Sequence, residues 1–334
     1  SGEVLVRLAL PAAAGAAVLR FSPDGRALLA ASSRTERAIV AGSEALVFAA
    51  EDGALRATLA GHAGAIHWAE FDGSGGRIVT ASADGTARLW DAESGAELGR
   101  LAHDGEVLCA SFSPSGERLV TTSSSSQHSY AALWSVPGLE LVARVNHDER
   151  PIVHAAFSPD GALFASASLD LSTRLWDAAT GSERGVLRAM LMPLEVLWSP
   201  DGSRIVTLNN SSRAHAWSLQ NLPHVYTLSG HSADVVDVEF DARGERALSA
   251  SRDGTVRVWA TPSAESDETV PGRELAVIAA HGKPLVRAAF LSGGTEVLSA
   301  GEDGTVRRSS AVDGRELAPP MRHDAPILAL AWSE

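Results

Sequence analysis

The stretch SADGTARLWD at residues 82–91 holds two aspartates, side chains that serve elsewhere as general acids, general bases or metal ligands. It recurs as SLDLSTRLWD at 168–177, SRDGTVRVWA at 251–260 and GEDGTVRRSS at 301–310. A catalytic residue is needed once per active site, so spaced copies point to a structural part used repeatedly. Other chemistry is thin. Cys109 stands inside the apolar run EVLCASF and reads as a small core residue. His67 and His154 fall on apolar runs from different parts of the chain, and a metal there would need convergent ligands. There is no phosphate-binding glycine loop, CxxC pair or calcium loop, so neither metal nor cofactor is expected.

The copies are positioned by a repeat. An aromatic that ends an apolar run and precedes a turn occurs at Phe21, Phe71, Phe112, Phe157, Trp198, Phe240, Phe290 and Trp332, forty to fifty residues apart. Each unit reads as four short strands. AIHWAEF is a first strand and RIVTAS a second, joined by a turn whose clearest form is Ser-Pro-Asp-Gly. An Asp-Gly turn leads into TARLW, and a glycine-containing turn into GAELGRLA. Helical periodicity is absent. One four-stranded sheet cannot bury both faces, whereas seven arranged radially can. The predicted fold is all-β, a seven-bladed β-propeller of four-stranded antiparallel blades, with an eight-bladed or tandem arrangement as the alternative. Trp90, Trp134, Trp176, Trp217 and Trp259 share one position and read as filling between sheets.

The chain reads as one domain over 1–334, with units at about 12–60, 61–102, 103–146, 147–188, 189–229, 230–280 and 281–322. EVLVRLAL at 3–10 looks like a fourth strand with no unit before it. We expect it to close the ring at the seventh unit, whose own fourth strand, RELAPPM, carries Pro319 and Pro320. Residues 323–334 read as the start of a further repeat, and so as part of a longer protein.

Composition narrows the function classes. The 334 residues are 45% hydrophobic, enough for a large core, and carry a net charge of −13. Such a chain repels phosphate backbones, so nucleic-acid and anionic-membrane roles are disfavoured. Lys283 is the only lysine, and with abundant Ala and Gly this suggests a GC-rich bacterial genome. A single cysteine allows no internal disulfide, which fits a reducing, cytoplasmic setting.

These residues resemble the WD-repeat β-propeller family, in the form of a bacterial-type array. The resemblance lies in Trp90-Asp91, Trp176-Asp177, Gly61-His62 and Gly230-His231, in register with the repeat over essentially the whole chain. It implies a hydrogen-bonded His, Ser/Thr, Asp and Trp tetrad in each blade. The matching positions are His62, Thr80, Asp84 and Trp90; His147, Ser166, Asp170 and Trp176; and His231, Ser249, Asp253 and Trp259. A Ser/His/Asp set suggests a hydrolase, but one that recurs with a tryptophan attached reads as a strut. Other units depart from the pattern. The seventh has Ser309 for Trp, the third lacks the Asp, the fifth has Ala189 for His, and the first keeps none, with Phe48 in the Trp slot.

The resemblance implies a non-catalytic interaction scaffold or sensor that binds a protein or peptide through its loop face. One alternative is a purely structural arm of a larger signalling NTPase, kinase or caspase-like protein. A less favoured one is an enzyme using the central channel, with Glu70, Asp237, Glu239 and Arg287 as its charges. Expected partner contacts are Arg34, Glu36 and Arg37 in the insertion 32–45, His128 and Tyr130 in the insertion 123–130, and Arg213 and Arg252. A third insertion, 261–273, carries Glu265, Asp267 and Glu268 and reads as a flexible acidic loop.

Overall fold

The computed structural model describes residues 16–32, 43–126, 128–147, 150–188, 191–219, 225–261, 272–279 and 281–332. These form seven four-stranded antiparallel sheets, each a meander in chain order, spanning 16–62, 66–102, 106–145, 152–188, 193–229, 235–279 and 285–322. We number them sheets 1 to 7. Sheet 2 is representative, with strands Ile66–Phe71, Arg77–Ser82, Thr86–Asp91 and Glu97–Ala102. Its hairpins form because the turns demand it. Gly85 at φ 81° ends the tight Asp-Gly turn in a conformation that costs a glycine nothing.

The second and third strands are buried along most of their length, whereas the fourth strand is mostly exposed. Ile78, Val79, Leu89 and Trp90 therefore serve both faces of sheet 2: Ile78 and Trp90 pack towards sheet 1, Val79 and Leu89 towards sheet 3. First strands of successive sheets lie side by side and line the inside of the ring. Burial between sheets, and not within any one of them, holds the array together.

The C-terminal segment differs from the sequence expectation. Residues 3–10 lie outside the described residues. The fourth strand of sheet 7 is reduced to Met321–Arg322, with one isolated bridge between Ser309 and Glu316, because Pro319 and Pro320 carry no N–H for the ladder. Residues 323–332, expected as a strand, form none, and Leu328 is 69% exposed. The segment instead runs beside the first strand of sheet 7: Arg287 Nη1 donates to the Leu330 carbonyl at 3.0 Å, and its guanidinium lies 5.0 Å from the centre of the Trp332 ring. A cavity of about 590 Å³ separates this segment from sheet 1, lined by Arg20, Phe21, Arg287, Phe290 and Trp332 among others.

Candidate functional site

In sheet 2 the Trp90 indole donates to Thr80 Oγ1 at 2.8 Å, His62 Nε2 lies 2.6 Å from that hydroxyl, and His62 Nδ1 lies 2.8 Å from Asp84 Oδ2. An indole only donates and a carboxylate only accepts. The arrangement that satisfies every member is a neutral imidazole with its proton on Nδ1. Burial, the largest influence on His62, favours this neutral form by lowering its pKa against the pull of Asp84. Burial alone would raise Asp84. Donors from Thr86, His62 and the Ala63 N–H outweigh it and hold the carboxyl at about 2. Sheet 6 repeats the chain with Trp259, Ser249, His231 and Asp253 at 2.8, 2.8 and 2.9 Å. Sheet 4 repeats it with Trp176, Ser166, His147 and Asp170 at 2.7, 2.7 and 3.3 Å. The would-be nucleophiles Thr80, Ser166 and Ser249 are thus buried acceptors of an indole proton.

Two further members went unread in the sequence. The hydroxyls of Thr86, Ser172, Thr255 and Thr305 donate to the neighbouring aspartates at 2.6–2.8 Å. Their signal was the Thr or Ser two places after each aspartate. Outside them, Arg88 reaches Glu97 at 2.8 Å, Arg174 reaches Glu183 at 3.0 Å, Arg307 reaches Glu316 at 3.3 Å, and Arg257 pairs with Glu274. This clamp links third and fourth strands in sheets 2, 4 and 6, and in sheet 7 ties the third strand to Glu316, ahead of the short fourth strand.

Sheet 3 corrects one expectation. Tyr130, read as a peptide contact, is only 6% exposed. It sits in the slot of Thr86, and its hydroxyl lies 3.2 Å from His103 Nδ1, where other sheets present the aspartate. His103 Nε2 and the Trp134 indole then meet Thr121 Oγ1 as in sheet 2. Arg144 covers the Tyr130 ring at 4.5 Å. With no carboxylate in contact, burial, aided by Arg144, lowers His103 to about 4.

The channel charges act between sheets. First strands expose unpaired ladder groups along their inner edge. Glu70 accepts the Phe112 N–H of sheet 3 at 2.8 Å, and Asp237 and Glu239 accept the Ala288 and Phe290 N–H groups of sheet 7 at 3.1 and 3.3 Å. Burial raises Asp237 to about 7, although Arg287 Nε stands 3.6 Å away. These carboxyls cap a neighbour's edge. Cys109 bridges to the Ala155 carbonyl of sheet 4 at 3.6 Å, and burial pushes its thiol far above the usual range. Among the described residues no group of three His, Cys, Asp or Glu side chains gathers as a metal would require. Nor is any helix there long and apolar enough to cross a membrane.

The connectors between sheets share one face with the second hairpins. The His103, His281 and His323 N–H groups donate to the carbonyls of Gly85, Gly254 and Gly304. On this face His128 and Arg213 are exposed, and Arg252 stands 4.0 Å from Glu302 in a pair open to solvent. The His128 carbonyl accepts the Ser125 N–H at 2.8 Å, closing the tip of its insertion. Arg34, Glu36 and Arg37 lie outside the described residues, as do 262–271 of the acidic insertion. The structure brings the tetrads together and leaves His128, Arg213 and Arg252 on separate sheets.

Seven radially packed sheets of one register, three of them stitched by the same four side chains, define a repeat β-propeller. Residues 53–91, 95–135, 140–177 and 222–260 match the family described as WD domain, G-beta repeat, and the chain belongs to the WD-repeat family. It is similar to the serine-threonine kinase receptor-associated protein of Gallus gallus, 27% identical over 246 residues that make up 61% of this chain and 69% of the relative. It is also similar to the ribosome biogenesis protein YTM1 of Chaetomium thermophilum, 28% identical over 62% of this chain and 41% of that protein. A third likeness is to pre-mRNA-processing factor 17 of Saccharomyces cerevisiae, 30% identical over 40% of this chain and 30% of that protein. These relatives are eukaryotic and lend no support to the bacterial source expected from composition.

Proposed function

We propose that the chain is a non-catalytic scaffold that holds a protein or peptide partner on its loop face. One observation carries this reading: the Ser/Thr, His and Asp side chains that could do chemistry are committed to hydrogen bonds inside the sheets, while the hairpin tips of one face stand free. The relatives, one named as receptor-associated and two for ribosome biogenesis and pre-mRNA processing, are in keeping with work inside assemblies. The net charge of −13 favours a protein surface over a phosphate backbone as the direct contact. The buried lone thiol accords with a cytoplasmic location.

The test is photo-crosslinking in the source cell. A crosslinking residue at His128, Arg213 or Arg252 should capture discrete proteins. The same residue at Asp24, Asp160 or Asp201, on the turns of the opposite face, should capture few. Equal capture from both faces, or none from either, sinks the proposal.

A further inference from the structure

We propose that the loop face at the junction of sheets 4 and 5 seats a partner segment in which acidic and large apolar side chains are interspersed. The inference rests on the scaffold reading above and assigns it a place and a partner chemistry.

The first observation is backbone strain without a packing return. Leu139 and Leu171 hold left-handed backbone, at φ 51° and 70°. Each stands where the equivalent turns of other sheets have glycine, such as Gly95 for the first and Gly85 and Gly254 for the second. A leucine in this conformation is unfavourable unless its surroundings compensate. Leu139 is compensated, because it packs against the core between sheets 2 and 3 and its Cδ1 fills the space beside Gly99. Leu171 lies at a hairpin tip and is 40% exposed.

The second observation is its company. Leu169 lies on the other side of Asp170, and its N–H bonds to the Pro151 carbonyl at 3.0 Å. Arg188 pairs with Ser172, the residue after Leu171, and there the chain leaves for sheet 5. That connector reaches Pro193 through Leu191 and Met192, where sheets 2 and 3 are joined by the polar run His103-Asp104-Gly105. Met192 is 42% and Leu194 39% exposed. The inner strands of sheet 4 pack on the first strand of sheet 5, which sets this hairpin tip and this connector at the same end of one junction. Methionine there can adapt its shape to an occupant.

The third observation supplies the charge. In a strongly acidic chain, Arg150, Arg188 and Arg213 are all exposed around this patch. None of the three forms a salt bridge among the described residues. Arg150 is placed by its carbonyl, which accepts from Ser168 beside Leu169, and Arg213 by its carbonyl, which accepts from Asn209 opposite Pro193. An apolar centre with a basic rim complements a segment that carries Leu, Phe or Trp among Asp and Glu.

The test is a phage-displayed library of random dodecapeptides panned on the intact chain, with selected peptides measured by fluorescence anisotropy at low and high salt. Acidic peptides with large apolar residues should be enriched, and salt should weaken them. Leu171→Gly should cut affinity about tenfold while the melting temperature holds or rises, since glycine relieves the turn. Arg188→Glu with Arg150→Glu should cut affinity about tenfold and remove the salt dependence. Enrichment of basic peptides, or acidic-apolar binding that survives both changes, overturns the assignment. If Arg252→Glu on sheet 6 abolishes binding and Leu171→Gly does not, the loop face still binds a partner but this junction is not the seat. If no peptide is enriched, the assignment falls, and the scaffold reading stands or falls on the crosslinking.

Discussion

Sheets 2 and 5 have the same strand order and the same tryptophan slot, yet they treat the indole N–H in opposite ways. Trp90 donates to Thr80, which is joined through His62 to Asp84. Trp217 and Thr207 keep the first two places, but the Trp217 Nε1 and Thr207 Oγ1 atoms are buried without a partner. His215 occupies the place of Arg88 and turns to Asn209 at 2.8 Å. Sheet 1 takes a third course: Ala30, Leu46 and Phe48 fill the corresponding slots with an apolar cluster. A fully connected network and a fully apolar one are both good solutions, and a half-connected one is the poorest. Sheet 5 should therefore be the weakest of the three.

The largest effect that could break this comparison is at Asp84. Asp84→Ala leaves the His62 N–H, the Ala63 N–H and the Thr86 hydroxyl without their acceptor. Urea unfolding should show a loss of about 3–5 kcal/mol. A loss under about 1 kcal/mol would mean that the network adds little to packing.

Next come two equal substitutions in the two sheets. Thr80→Val removes a hydroxyl bonded on both sides and should cost about 2 kcal/mol. Thr207→Val removes one with no partner and should be neutral or stabilising, within about 0.5 kcal/mol. Matching losses at the two sites would dissolve the distinction.

Sheet 3 sharpens the comparison through pH. Tyr130 offers His103 no negative charge to oppose burial, so its pKa falls to about 4. A group whose folded pKa lies below its unfolded value contributes full stability above the unfolded pKa, near 6.5. That stability is lost as pH falls towards 4, at about 1.4 kcal/mol per unit. Unfolding at about pH 7 and about pH 5 should differ by about 2 kcal/mol on account of His103. His103→Gln should remove that part of the slope. An unchanged slope would place the acid sensitivity in other histidines.

What could be read from the sequence followed the range of each interaction. Strands and turns were legible because Ser-Pro-Asp-Gly and Asp-Gly carry their geometry locally. Tetrad positions were legible because their spacing recurs. Tyr130 misled because a tyrosine suits a peptide contact as well as a strut, and only its register with Thr86 separates the two. The clamps of Arg88 and its equivalents went unread although an arginine stands two places before each of these Trp slots, because their Glu partners lie beyond the next turn. The caps made by Glu70, Asp237 and Glu239 join residues of different sheets, and no local pattern announces such pairs. The first strand of a further repeat expected at 323–332 is not formed, because an apolar run alone does not supply ladder partners.

The smallest effect concerns the two strained leucines, and its sign is what matters. Leu139 and Leu171 bear the same conformational penalty, of order 1 kcal/mol or somewhat more. Leu139→Gly relieves the strain but also strips side-chain packing from the core between sheets 2 and 3, so stability should fall by about 1–2 kcal/mol. Leu171→Gly gives up a side chain that is already largely in water, so the relief dominates and stability should rise by up to about 1 kcal/mol. Opposite signs from one substitution would show that one leucine is kept for the fold and the other against it. Stability then gives no account of the leucine at 171, and the contact open to its side chain is with something outside the ring. A fall in stability at Leu171→Gly would return that residue to the core and remove the strain argument for the junction of sheets 4 and 5.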